Sequence, residues 1–198
     1  MNETGCRPLS SDECASIIEH LCGRYRTRDR ALFLLGIKSG FRISELLAIK
    51  VSDVWIGDEI RDSVTVAKAW MKGRKNSRTM PINSAAAEAI RLWLRASGMD
   101  HSYFKDWPLF ASQGRKKAIS SRQAFSILLQ AAEEAGIDTT RVGTHSLRKS
   151  FASAVWDHPA VNKDMAKMAK LLGHSNFSNT LRYLEFMDGS LDTAVMSI

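Results

Sequence analysis

Leu171-Leu172-Gly173-His174-Ser175-Asn176-Phe177-Ser178-Asn179-Thr180-Leu181-Arg182-Tyr183 is the stretch on which the reading of this chain turns. Asp164 is placed to cap a helix that reaches Leu172, and Gly173 stops it. Ser175 or Asn176 then begins a helix that carries Tyr183 and fades near Gly189. A histidine just past one helix end is therefore followed by a tyrosine on the next helix.

Two boxes upstream give that pair a chemical context. They are Ser39-Gly40-Phe41-Arg42-Ile43-Ser44-Glu45-Leu46-Leu47 and Thr144-His145-Ser146-Leu147-Arg148. A phosphodiester needs its non-bridging oxygens neutralised before a weak nucleophile can attack. Guanidinium suits this task, being always charged and having a planar fork that matches phosphate. Arg42 and Arg148 form a candidate clamp. Arg42 stands at a predicted helix start, where backbone N–H groups also favour an anion. Arg148 lies three residues after His145, which predicts a shared helix face. Glu45, three residues after Arg42, either orients it or makes an ordinary helical ion pair.

Around these boxes the chain reads as mainly α with a small antiparallel β-sheet. Ser10-Ser11-Asp12-Glu13 marks a helix start, and the helix runs to about Leu21. Residues 28–38 are apolar nearly all round, so that helix is expected to be buried, and Ser39-Gly40 ends it. A short helix is predicted over 43–49. Val64 and Val66 alternate with polar neighbours in a strand over 62–71, and Arg78 to Ile82 returns as its hairpin partner. Ser84 is expected to cap a helix to about Ala96, and residues 97–119 read as irregular. A helix over Ser121–Ala135 is closed by Gly136, and Thr144 or Ser146 caps another to about Trp156. No repeat or linker divides the chain, so residues 1–198 are read as one domain with its core over 8–188.

The 198 residues are 44% hydrophobic and 25% charged, the balance of a globular domain, and the net charge of +7 favours a polyanionic partner, nucleic acid before membrane. The basic residues cluster. Arg24, Arg26, Arg28 and Arg30 form one group; Lys68, Lys72, Arg74, Lys75 and Arg78 a second; Arg115, Lys116, Lys117 and Arg122 a third. These groups are expected to line a DNA-binding surface. Cys6, Cys14 and Cys22 lie eight apart, a spacing that matches no zinc pattern, and Cys14 and Cys22 are expected to pack on one helix face. Their odd number fits a reducing cytoplasm, and no apolar run is long enough to span a membrane. His20, His101, His158, Tyr25 and Tyr103 lack a comparable context.

The three boxes together resemble those of the tyrosine recombinases, the phage integrase family, and the resemblance covers roughly residues 8 to 190. It implies the catalytic-domain fold of that family and a role for each residue. Tyr183 would attack the scissile phosphate to form a 3′-phosphotyrosine and free a 5′-hydroxyl. Arg42 and Arg148 would stabilise the transition state, His145 would assist proton transfer, and His174 would hydrogen-bond the phosphate. A hairpin lysine would protonate the leaving oxygen, with Lys72 favoured and Lys75 its rival. The bond energy stays in the phosphotyrosine, so the resemblance implies neither a cofactor nor a metal.

It further implies a site-specific recombinase acting on double-stranded DNA sites as a homo-tetramer, in a bacterial or phage setting, with a possible accessory DNA-bending or core-binding protein. The N-terminal DNA-clamping domain of many members is missing from the pattern, which suggests a catalytic-domain-only member. Residues 157–163 look like a small insertion. The apolar tail residues Phe186, Met187, Leu191, Val195 and Met196 would dock on a neighbouring protomer or on their own domain. Two other readings remain open: a catalytically silent DNA-binding regulator, and relaxation of DNA like that of type IB topoisomerases.

Overall fold

Ser10 opens α1 (Ser11–His20) with a reciprocal cap: its Oγ accepts from Glu13 N–H at 3.1 Å, and Glu13 Oε2 accepts from Ser10 N–H at 2.8 Å. The computed structural model describes residues 5–67, 77–112, 114–174 and 180–181. Lys72, Lys75 and Tyr183, as well as the apolar tail, lie outside the described residues.

The hydrophobic helix of the sequence reading becomes α2 (Arg26–Ser39), and it is the centre of the molecule. Ala31, Leu32, Phe33, Leu34, Leu35 and Ile37 are all buried, so water is excluded from every side of its middle turns. α5 (Ser84–Ser97), α6 (Ser121–Glu134) and α7 (Thr144–Trp156) pack around it, and α1 packs on α6. Gly40 ends α2 in the left-handed conformation at φ 60°. The chain then turns through Arg42 into α3 (Ile43–Leu47) and α4 (Val51–Val54).

Two small antiparallel sheets follow. β1 (Trp55–Ile56) and β2 (Glu59–Ile60) form a tight hairpin over Gly57 and Asp58, whose φ angles of 51° and 70° suit a mirror-image turn. The sequence reading assigns no element here, although Gly-Asp between apolar-ended runs is a hairpin signal. β3 (Ser63–Val66) pairs with β4 (Arg78–Pro81) as expected, in the register Val64↔Met80 and Val66↔Arg78. Residues 68–71 of the predicted strand lie outside the described residues. Val64, Val66, Met80 and Arg78 all point inward, while Thr65 and Thr79 pair their hydroxyls at 2.8 Å on the exposed face.

The structure moves several sequence-based boundaries. Asn83, not Ser84, caps α5: its Oδ1 accepts from Ala86 N–H at 3.0 Å. Gly143 is the N-cap of α7, and Ser146 reaches back so that its Oγ accepts from Gly143 N–H at 3.1 Å. Neither Thr144 nor Ser146 is itself the cap. Cys22 lies beyond the end of α1 and is exposed, so it does not share a helix face with Cys14. α8 (Met165–Leu172) has the predicted ends, with Asp164 capping two backbone N–H groups and Gly173 left-handed at φ 59°. Among the described residues no helix is long and apolar enough to cross a membrane.

Candidate active site

Arg42, Glu45, His145, Arg148 and His174 sit on four described segments: the turn after α2, the starts of α3 and α7, and the residues just past α8; Lys72, Lys75 and Tyr183 lie outside the described residues. Arg42 has extended backbone (φ −70°, ψ 154°) immediately before α3. Its own N–H donates to Glu45 Oε2 at 3.0 Å, and its Nη1 donates to Glu45 Oε1 at 3.0 Å. Glu45 is buried, whereas the Arg42 side chain keeps 34% of its surface exposed. One carboxylate thus closes the helix start and aims the guanidinium, so the orienting role fits better than an ordinary surface pair.

Arg148 is fully buried, at 0% exposure, and its fork meets three acceptors among the described residues. Nη1 donates to the Gly40 carbonyl at 2.6 Å. Nη2 donates to the Leu172 carbonyl at 2.6 Å and meets His174 Nε2 at 3.0 Å. A guanidinium can only donate, so His174 Nε2 must accept and its proton sits on Nδ1. Nδ1 then donates to Thr180 Oγ1 at 2.9 Å, and Thr180 is fully buried. The left-handed Gly173 lets His174 N–H close back on the Ala169 carbonyl at 2.8 Å, which points the imidazole inward.

His145 stands in the first turn of α7, more exposed than Arg148. Partial desolvation, then repulsion from Arg148, Arg42 and Lys149, pushes its pKa below the ordinary histidine value. The ring is therefore neutral at pH 7 and able to accept a proton. In an NMR titration of the free protein its midpoint should fall below 6.5. Because folding lowers this pKa, the contribution to stability is fully present above the unfolded value and is lost as pH falls through the folded one. Thermal melts of His145→Gln should lack that part of the acid-side slope; an unchanged slope would refute the assignment.

Glu45 combines opposing influences. Burial alone would raise its pKa, but the Arg42 N–H bond, the charges of Arg78 and Arg148 and the Arg42 side chain outweigh it. Its carboxyl is held below the usual range and stays ionised.

The structure also corrects the basic surface. Arg28 is buried, paired with Asp29 at 2.8 Å and stacked over the Tyr25 ring at 4.6 Å. Arg78 is buried as well and joins the site from below. Neither belongs to an exposed basic surface, whereas Arg24, Arg26, Arg30, Arg115, Lys116, Lys117 and Arg122 are exposed, and Lys68, Lys72, Arg74 and Lys75 lie outside the described residues. Sequence reasoning missed Arg78 and Thr180 as neighbours of the site. The alternation of β4 carried a signal for Arg78, since Met80 and Arg78 must share a face; no local signal marked Thr180.

The chain resembles known proteins in sequence and in fold. The phage integrase family model matches residues 7–188. The probable integrase/recombinase YoeC of Bacillus subtilis is 30% identical over 182 residues, covering 90% of this chain and 88% of that one. The tyrosine recombinase XerC of Halalkalibacterium halodurans is 34% identical over 182 residues, covering 88% of this chain and 56% of that one. This chain spans between 49% and 62% of the XerC, XerD and XerA relatives. Among solved structures, XerA recombinase superposes with a TM-score of 0.75 at 22% identity, covering 100% of this chain and 65% of that one. The catalytic domain of bacteriophage HP1 integrase gives 0.60 at 18% identity, covering 96% and 94%.

Proposed function

This chain belongs to the phage integrase family, and from that premise we propose that it is a site-specific recombinase that cuts and rejoins duplex DNA through a 3′-phosphotyrosine at Tyr183. The observation that carries the proposal is that two pairs drawn from three separate sequence boxes, Arg42 with Glu45 and Arg148 with His174, are bridged by Arg78, which lies 3.6 Å from Glu45 Oε2 and shares the Leu172 carbonyl with Arg148.

Arg42 and Arg148 bind the non-bridging oxygens of the scissile phosphate and stabilise the charge that builds up there. A phosphate oxygen takes over from His174 Nε2 as acceptor for Arg148, and His174, on taking up a solvent proton at Nε2, donates to the phosphate while Nδ1–H stays on Thr180. The Tyr183 oxygen attacks phosphorus while neutral His145 assists removal of its proton. The bond to the 5′-oxygen breaks, and Lys72, or in its place Lys75, supplies the proton to the leaving 5′-hydroxyl. Attack by a 5′-hydroxyl from another strand reverses the step and reseals the DNA. The diester bond is exchanged, not hydrolysed, so no outside energy source is consumed.

Residues 8–188 act in this reading as one catalytic domain in the cytoplasm of a bacterium, on two DNA sites, within a homo-tetramer. An accessory DNA-bending or core-binding protein would assist. A groove of about 1210 Å³ between α1, α2, α5 and α7 supports the assembly. Cys14, Ile18, Leu34, Ile37, Ala89 and Leu92 give it an apolar stripe for the tail of a neighbouring protomer, and Glu19, Arg26, Arg30, Lys38 and Glu88 line it as well.

Covalent trapping tests the proposal. The protein is incubated without metal with a pool of nicked, sequence-randomised duplexes, then denatured and mapped by mass spectrometry. An adduct on Tyr183 with enriched DNA sequences, lost in Tyr183→Phe, is the expected result. Salt-sensitive DNA binding with no adduct would overturn it in favour of a DNA-binding regulator. Adducts without sequence preference would favour a DNA-relaxing enzyme.

A further inference from the structure

Arg78 lies on the strand that closes the β3–β4 hairpin, yet it touches the end of α2, the turn before Arg42, α3 and the end of α8. Its Nη1 donates to the carbonyls of Leu171 at 3.1 Å and Leu172 at 3.2 Å. Its Nη2 donates to the Ser39 carbonyl at 3.4 Å and lies 3.6 Å from Glu45 Oε2. Its guanidinium carbon sits 4.1 Å from the centre of the Phe41 ring, the residue before Arg42.

The arrangement parallels that of Arg148. Both arginines bridge the C-terminal end of α2 to the C-terminal end of α8. Arg78 takes Ser39 and Arg148 takes the adjacent Gly40. Both donate to the same Leu172 carbonyl. Two buried cations in such proximity would repel, and three sources of negative potential offset them: the carbonyl ends of two helices and the ionised Glu45. A lone surface cation on a DNA-contacting hairpin would need none of this.

We propose that Arg78 is a positioning residue that couples the β3–β4 hairpin to the phosphate clamp, fixing Arg42 through Glu45 and Arg148 through the Leu172 carbonyl that both guanidiniums share. The inference rests on the reading of Arg42 and Arg148 as that clamp. A shift of β4 moves the guanidinium of Arg78, and with it the carboxylate that aims Arg42. The hairpin, which also bears Lys72 and Lys75, thereby shares a rigid connection with the residues that grip the phosphate.

Arg78→Lys is the direct test, because it keeps the charge and loses the fork. The probe is the randomised nicked duplex pool used for trapping, with the wild-type protein run in parallel. The variant should bind the pool as the wild type does, since the side chain is buried away from DNA. Its rate of adduct formation should fall by about 100-fold, the scale expected when a reacting group is misplaced by about 1 Å. Combined with Glu45→Gln it should add little further loss, because both act along one chain of contacts. Wild-type cleavage rates in a folded Arg78→Lys protein, or losses that multiply independently, would overturn the proposal.

A second measurement needs no DNA. In ¹⁵N NMR of the free protein, the guanidinium protons of Arg78 should exchange slowly and show proximity to the Phe41 ring. The Arg42 Nε signal should shift in Arg78→Lys or, if that variant does not fold, in Phe41→Leu. Rapid exchange, or an unmoved Arg42 signal, would refute the coupling. A wild-type protein that forms no adduct would refute the recombinase reading instead, and the NMR result would still decide the placement of Arg78.

Discussion

Arg148→Lys should leave a folded, DNA-binding protein whose cleavage is reduced by about 100- to 1000-fold, the loss typical of removing a donor that stabilises transition-state charge. Lysine carries the same charge on a point, whereas Arg148 spans the Gly40 carbonyl, the Leu172 carbonyl and His174 Nε2 at once. An ammonium placed for one of these acceptors abandons the others. His174 then loses the partner that holds its Nε2, so two members of the site are displaced by one substitution. Arg148→Ala should go further. It takes the arginine donor from the buried Gly40 carbonyl, leaves the Leu172 carbonyl to Arg78, and removes a compensating charge from the neighbourhood of buried Glu45. Breaking a buried charged network costs roughly 3–5 kcal/mol. For a chain of this size that lowers Tm by roughly 6–20 °C. Single-turnover adduct formation and calorimetry measure the two effects separately. A lysine variant that cleaves within about tenfold of the wild type would remove Arg148 from the clamp.

Gly40→Ala should be among the most damaging single-methyl changes in the protein. Gly40 has φ +60°, and a Cβ there would meet Phe151 Cδ1 at 2.3 Å, Cγ at 2.9 Å and Cε1 at 3.0 Å. The left-handed conformation alone costs an L-residue about 1–2 kcal/mol. The clash adds to it, since the buried ring has no room to retreat and forced repacking costs about 1–3 kcal/mol. Gly98 supplies the control: it caps α5 at φ +66° with nothing within 4 Å of the added carbon. Gly98→Ala should therefore show the backbone cost without the clash. Denaturant unfolding of both variants isolates the difference. The Gly40 variant should also cleave more slowly, because the Gly40 carbonyl anchors Arg148. Adding Phe151→Leu should recover part of its stability; no recovery would mean that the ring is not what resists the methyl group.

The helix ends were the most legible part of the fold. Ser10 with Glu13, Ser39 with Gly40, and Asp164 with Gly173 mark their boundaries through interactions a few residues apart. The errors fell where two neighbours compete for one role. Asn83 and Ser84 are both good caps, and so are Thr144 and Ser146 on propensity alone; backbone geometry at the cap decided between them. The β1–β2 hairpin was missed because strands of two residues show no periodicity to read.

Charge was less legible than shape. Arg28 and Arg78 stand among exposed basic residues in the sequence, and composition gives every arginine in a cluster the same status. Inward strand alternation and a buried acidic neighbour separated these two from the rest.

The sequence by itself determined the family and the helical framework and nominated the reacting residues, because each depends on residue type at short spacing. Arg42 with Glu45, His145 with Arg148, and His174 with the following tyrosine are local patterns. Only the tertiary structure decided how they join. The Arg148–Gly40 bond spans 108 residues, the Arg78–Leu171 bond 93, and the closeness of Gly40 to Phe151 is equally non-local. A guanidinium becomes a buried bridge rather than a solvated charge only when distant helix ends and a carboxylate converge on it. That convergence is a property of packing, which no short stretch of sequence contains.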